Sequence, residues 1–203
     1  MVRKQGVLAA LVGMALAACQ PQAAEEAADA TASLLVGIEY MGVPLSDSVA
    51  EGVPCRFVSS ENVVRDSTEL SGWVRGRILC NDRVPYIFLA KNIGQSKYAF
   101  SLGNPPGPYA LRKIMAVQKL PPVSNYSDGD IDSDLFELVD SWAGQCDLDG
   151  QGGNSFVGLV RWNGYEAVSG PPWIGAVWGF DVDAGRVVQI SPERLRCEPM
   201  WMD

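Results

Sequence analysis

The chain has 203 residues, 47% of them hydrophobic, with 16 Lys+Arg, 24 Asp+Glu and no histidine. That apolar content excludes disorder of the body, and the length suits one domain or two small ones. The missing histidine excludes Ser-His-Asp and Cys-His catalysis and any H-E-x-x-H zinc site. Ser-x-x-Lys, G-x-G-x-x-G and the P-loop are absent as well. For an enzyme, carboxylate chemistry of the glycosidase type remains, or a lysine, tyrosine or serine in an activating setting. The net charge of −8 argues against nucleic acid and anionic headgroups as partners of the body.

Arg3 and Lys4 form a basic start, and an apolar run follows from Gly6 to Ala17. The run is too short for a permanent membrane span. It ends in Leu16-Ala17-Ala18-Cys19, which resembles the lipobox of bacterial lipoprotein precursors. The resemblance implies export, diacylglycerol on the Cys19 sulfur and removal of residues 1–18. The loss of Arg3 and Lys4 would take the charge from −8 to −10. Gln20 stands where an aspartate would mark inner-membrane retention. The resemblance therefore implies the outer membrane, with the body facing the periplasm.

Residues 19–33 are small, acidic and low in complexity, and read as a lipid-anchored flexible tether. An Ala-rich helix is the alternative, but it would lack an apolar face to hold it. Residues 34–203 read as a single globular domain. Leu34 to Tyr40 predicts its first strand and Val53 to Val58 a short second one. In Gly72 to Cys80, Trp73, Arg75 and Arg77 alternate with Val74, Ile78 and Cys80, which predicts a half-buried strand. Asn81-Asp82 supplies turn chemistry, and Tyr86 to Ala90 reads as the returning strand, with Pro85 at its start. GNPPGP at 103–108 breaks regular structure. Ala110, Leu111, Ile114 and Met115 then fall at helical spacing, while Leu111, Met115 and Val117 also fit a strand; the helix is favoured. A second helix is predicted around Leu135, Leu138, Val139 and Trp142, with Phe136 beside them and Asp132 or Ser133 as cap. Further on, Asn163-Gly164 predicts a hairpin between Ser155–Trp162 and Tyr165–Val168. Asp183-Ala184-Gly185 predicts another between Trp173–Val182 and Arg186–Ile190. A last strand carries Cys197. The fold class is therefore α+β or mostly β: an antiparallel twisted sheet of hairpins, one or two helices on one face, stapled by disulfides.

With Cys19 assigned to lipid, Cys55, Cys80, Cys146 and Cys197 remain. An even number in an oxidising compartment reads as two disulfides, with three possible connectivities. Cys55 and Cys80 end neighbouring predicted strands, which favours pairing them with each other and Cys146 with Cys197. Eight acids and no base lie between Asp128 and Asp149. Asp130, Asp132 and Asp134 alternate, and Asp147-Leu148-Asp149-Gly150-Gln151-Gly152 is similar to the opening of a calcium loop. These five aspartates are the candidate Ca²⁺ ligands. Both loops are broken, because Gly158 replaces the closing acid of one and Leu135 the glycine of the other. Helix capping and a solvated turn are the favoured account of the acids, so no cofactor is expected beyond that calcium option. Trp142, Trp162, Trp173, Trp178 and Trp201 crowd the last third, either as core or as a platform for a glycan or peptide.

The expected function is an outer-membrane-anchored lipoprotein with a non-enzymatic binding or structural role in the cell envelope. Its partners would be the membrane, through the lipid on Cys19, and a cationic envelope or secreted protein. The alternatives are a periplasmic glycan-active enzyme using two carboxylates, and a calcium-stabilised binding module.

Overall fold

A computed structural model describes residues 29–41, 52–65, 68–81, 83–96, 109–121, 136–140, 146–164 and 166–199. Within them the chain is mostly antiparallel strand. The elements in order are α1 (Ala30–Leu35), β1 (Glu39–Met41), β2 (Cys55–Arg65), β3 (Thr68–Cys80), β4 (Val84–Gln95) and β5 (Ala110–Lys119). There follow β6 (Glu137–Asp140), β7 (Cys146–Leu148), β8 (Phe156–Val160), β9 (Val168–Ser169), β10 (Ile174–Asp181), β11 (Arg186–Ile190), a 3-10 turn (Pro192–Arg194) and β12 (Leu195–Cys197).

The strands form three sheets, ordered β1-β5-β4-β3-β2, β11-β10-β8-β6 and β7-β12-β9. The first curls into an incompletely closed barrel. Its inner face gathers Phe57, Ile78, Tyr86, Phe88, Ala90 and Ile114 into one buried cluster, and Leu35 of α1 enters it fully buried. Gly76 faces Phe88 in register. A Cβ there would lie 2.6 Å from the Phe88 ring and 2.3 Å from the Ser59 carbonyl. Only glycine lets the ring lie flat on the strand.

The barrel's outer face presents Val63, Ile87 and Leu89 to the second sheet, which answers with Leu138, Val157, Leu159, Trp178 and Phe180. The far side of that sheet packs Val139, Phe156, Val160, Ile174 and Val177 against Leu195 and the Cys146–Cys197 pair. The second sheet is therefore covered on both faces, and every residue of β8 is buried.

Both disulfides join the partners that the strand ends favoured. Cys55–Cys80 ties neighbouring strands of the barrel, and Cys146–Cys197 ties β7 to β12.

Several local expectations are corrected. Residues 110–119 are strand β5, not helix. Met115 has no partner in the ladder, because Leu89 pairs with Ala116 and Ala90 with Ile114. That bulge leaves Met115 exposed beside the buried Ile114, so an apolar pair at 114–115 stands four residues after Ala110–Leu111 and imitates helical spacing. The predicted helix around Leu135 to Trp142 is strand β6 across Glu137–Asp140. The remainder of that prediction, Leu135 and Trp142 included, lies outside the described residues. Leu138 and Val139 are both apolar because the strand is covered on both faces: Leu138 meets the barrel and Val139 the third sheet. Neighbouring apolar residues then look like a helical stripe. Leu34 and Leu35 are helical rather than strand, and residues 30–33, read as tether, form the start of α1. The expected hairpin at Asn163-Gly164 shrinks to a single bridge, Asn163 to Glu166. Strand β8 already has β6 and β10 on its two edges, so β9 pairs with β12 instead.

Candidate functional site

Where α1 meets the barrel, a cleft of about 890 Å³ opens between the β3–β4 turn, the end of β5, and Trp178 and Gln189 of the second sheet. Asp29, Tyr86 and Lys119 form its polar floor. Asp29 caps α1: its Oδ1 accepts from the backbone N–H of Thr31 at 2.9 Å and of Ala32 at 3.2 Å. Its Oδ2 accepts from the Tyr86 hydroxyl at 3.0 Å and lies 3.5 Å from Lys119 Nζ. Tyr86 and Lys119 are register partners on β4 and β5, so the ladder itself brings them together.

Partial burial works to raise the Asp29 carboxyl. The Ala32 and Thr31 amides, the Tyr86 hydroxyl and the Lys119 charge outweigh it and hold the group below the usual carboxylate range. Burial, with the Asp29 hydrogen bond and charge, pushes the Tyr86 phenol up. So Asp29 stays ionised and Tyr86 stays a donor, which suits anchoring rather than proton transfer. Among the described residues lining the cleft, Asp29 is the one carboxylate. Glycoside hydrolysis of the two-carboxylate kind needs a facing pair.

A second polar cluster joins the barrel to the β7–β8 connection. Arg75 is 3% exposed and sits 2.5 Å from Glu61 Oε1. Asn154, in the β7–β8 connection, donates to Glu61 Oε2 at 3.1 Å and to the Asn62 carbonyl at 2.9 Å. Its Oδ1 accepts from the Val64 N–H at 2.5 Å. These contacts tie the β7–β8 connection to strands β2 and β3.

Of the candidate calcium ligands, Asp147 and Asp149 are described, and each is engaged by other groups of the chain. Asp147 Oδ1 accepts from the Gly150 N–H at 2.7 Å, closing a turn. Asp149 accepts from Arg194, Nε at 3.0 Å and a terminal nitrogen at 2.5 Å. A carboxylate already matched by guanidinium has little left for a cation. Asp130, Asp132 and Asp134 lie outside the described residues. Among the described residues no three His, Cys, Asp or Glu side chains converge on one point.

The tryptophans divide. Trp178 is core. Trp162 and Trp173 are half-buried against the third sheet, and Trp162 Nε1 donates to Glu137 Oε2 at 2.6 Å. Trp142 and Trp201 lie outside the described residues. The aromatic platform is thus spent on packing where it can be seen.

Sequence reasoning from net charge missed the distribution of charge between the two halves of the fold. Residues 34–121, which hold the barrel, carry ten Lys+Arg and seven Asp+Glu. Residues 122–203 carry four and fourteen. The signal was present in the sequence, but only the barrel boundary shows where to divide the count. Comparison with protein-family models, with curated proteins and with solved structures finds no match.

Proposed function

We propose that the chain is a lipid-anchored protein of the bacterial cell envelope, seated in the outer membrane and facing the periplasm, that acts by binding. The observation that carries this reading is the cysteine arithmetic. Four of the five cysteines are joined in two disulfides within the body. The fifth is Cys19, at the position the lipobox requires. Stable disulfides belong to oxidising compartments, which supports export. The partner surface is the acidic C-terminal half, which suits a cationic envelope or secreted protein, since complementary charge speeds encounter.

Metabolic labelling with a palmitate analogue tests the anchor: the mark is expected on the chain and its loss in Cys19→Ala. A mark that survives this substitution removes the reading. Binding of the mature chain to cationic envelope proteins at low and high salt tests the partner. Affinity is expected to fall as the screening length shrinks to about 3 Å near 1 M salt. Glycan turnover abolished by one carboxylate substitution would instead establish an enzyme.

A further inference from the structure

We infer that the barrel docks onto an anionic phospholipid surface through a patch centred on Lys91 and Lys113, so that the protein lies against its membrane instead of floating above it. The inference rests on the lipid-anchor reading and adds an orientation to it.

Three observations converge on the patch. First, Trp73, Lys91, Lys113 and Glu39 form one cross-strand row over β3, β4, β5 and β1. Lys91 and Lys113 are direct register partners. Like charges placed opposite each other destabilise a sheet. Glu39 flanks Lys113 alone, and Lys91 lies over the Trp73 ring at 5.3 Å. An anionic surface would relieve this pairing.

Second, among the described residues the exposed large hydrophobics are Leu34, Val36, Ile93 and Met115, and all four lie on the barrel and its helix. Ile93 and Met115 are the extra residues of the two bulges in the β4–β5 ladder, on either side of the Lys91–Lys113 pair. Val36 precedes Gly37, whose N–H reaches the Ile114 carbonyl at 2.8 Å, next to Met115. Apolar side chains interleaved with lysines suit the headgroup boundary.

Third, the anchor is near. The ten residues from Cys19 to Asp29 reach at most about 35 Å. Four lysines follow Cys19 in the sequence, all before residue 121. The β10–β11 turn of the acidic half reaches the Trp73 end of this row, where a Cβ on Gly185 would lie 3.6 Å from the Trp73 ring, and Asp181 of that turn is matched by Arg186.

The test uses the mature lipidated protein in preformed vesicles of phosphatidylcholine, with or without about a third phosphatidylglycerol. A water-soluble acylating reagent labels the lysines, and rates are read site by site from peptide masses. Each lysine near an anionic surface adds about a fivefold gain in partitioning. Labelling of Lys91 and Lys113 is therefore expected to slow at least about fivefold on the anionic vesicles, and 0.5 M salt should restore it. Ile93→Ser with Met115→Ser should weaken the protection. Equal rates on both vesicle types, with the lipid mass present on Cys19, would overturn the docking surface and leave the anchor standing. Absence of that lipid mass would remove the anchor reading, and the docking with it.

Discussion

The Tyr40 ring of β1 and the Phe57 ring of β2 lie 4.6 Å apart between centroids, although their strands are opposite edges of the same five-stranded sheet. No backbone ladder joins these edges among the described strands. Side chains close the barrel instead, with Phe88 packed edge-on against both rings and Arg112 donating to Ser60 at 3.1 Å. Phe57→Ala should cost about 3–5 kcal/mol, the range for deleting a buried phenyl ring. Gly76→Ala should cost at least about 1–3 kcal/mol through overpacking against Phe88 and the Ser59 carbonyl. Urea denaturation measures both. A neutral Gly76→Ala would mean that the strand gives way more easily than the close backbone contact implies.

The two disulfides close chain separations of 25 and 51 residues. In the chain-entropy account they stabilise by about 3.5 and about 4 kcal/mol. Paired Cys→Ala replacement should lower the thermal midpoint more for Cys146 with Cys197 than for Cys55 with Cys80. The reverse order would show that barrel strain in the unbridged state outweighs loop entropy.

The Glu61–Arg75–Asn154 cluster is costly to break singly. Glu61→Ala removes the carboxylate that meets the Arg75 guanidinium and accepts from Asn154, and should cost about 1.5–3 kcal/mol, the range for hydrogen bonds to charged groups. Asn154→Ala should cost less in that background than in the wild type, with a coupling on the order of 1 kcal/mol or more. A double-mutant cycle in urea checks this, and additive effects would dissolve the cluster as an energetic unit.

Asp29 links pH to the seating of α1. Its pKa is lowered in the folded state. The stabilisation is therefore complete above the unfolded carboxyl value, near pH 4, and is lost as pH falls through the folded value. Asp29→Ala should cost about 1 kcal/mol as a lost cap at neutral pH. It should also flatten the fall in thermal midpoint below about pH 4. An unchanged acid limb would place the titration elsewhere.

Much of the fold was legible residue by residue. The β3–β4 hairpin followed from alternation around Val74 and Ile78 and the turn at Asn81, and the β10–β11 hairpin from Asp183-Ala184-Gly185. Cys197 fell on a terminal strand, as the pattern implied. The errors share one physical origin. Period-2 alternation holds only where a strand has one wet face and an unbroken register. Strand β6 has two dry faces, and β5 is interrupted by the bulge at Met115. Each therefore imitated a helix.

What the sequence by itself determined is local: most of the strand-forming segments, the tight turns and the cysteine count. Tertiary structure alone decided how the hairpins and remaining strands join one another, because pairing depends on which edges remain free, as β8 shows at Asn163. It also decided what the charges mean. A net charge is a sum over the chain, but a partner within a screening length meets only one face. The fold gathers Lys91 and Lys113 on the barrel and places most of the acids in the other half of the chain.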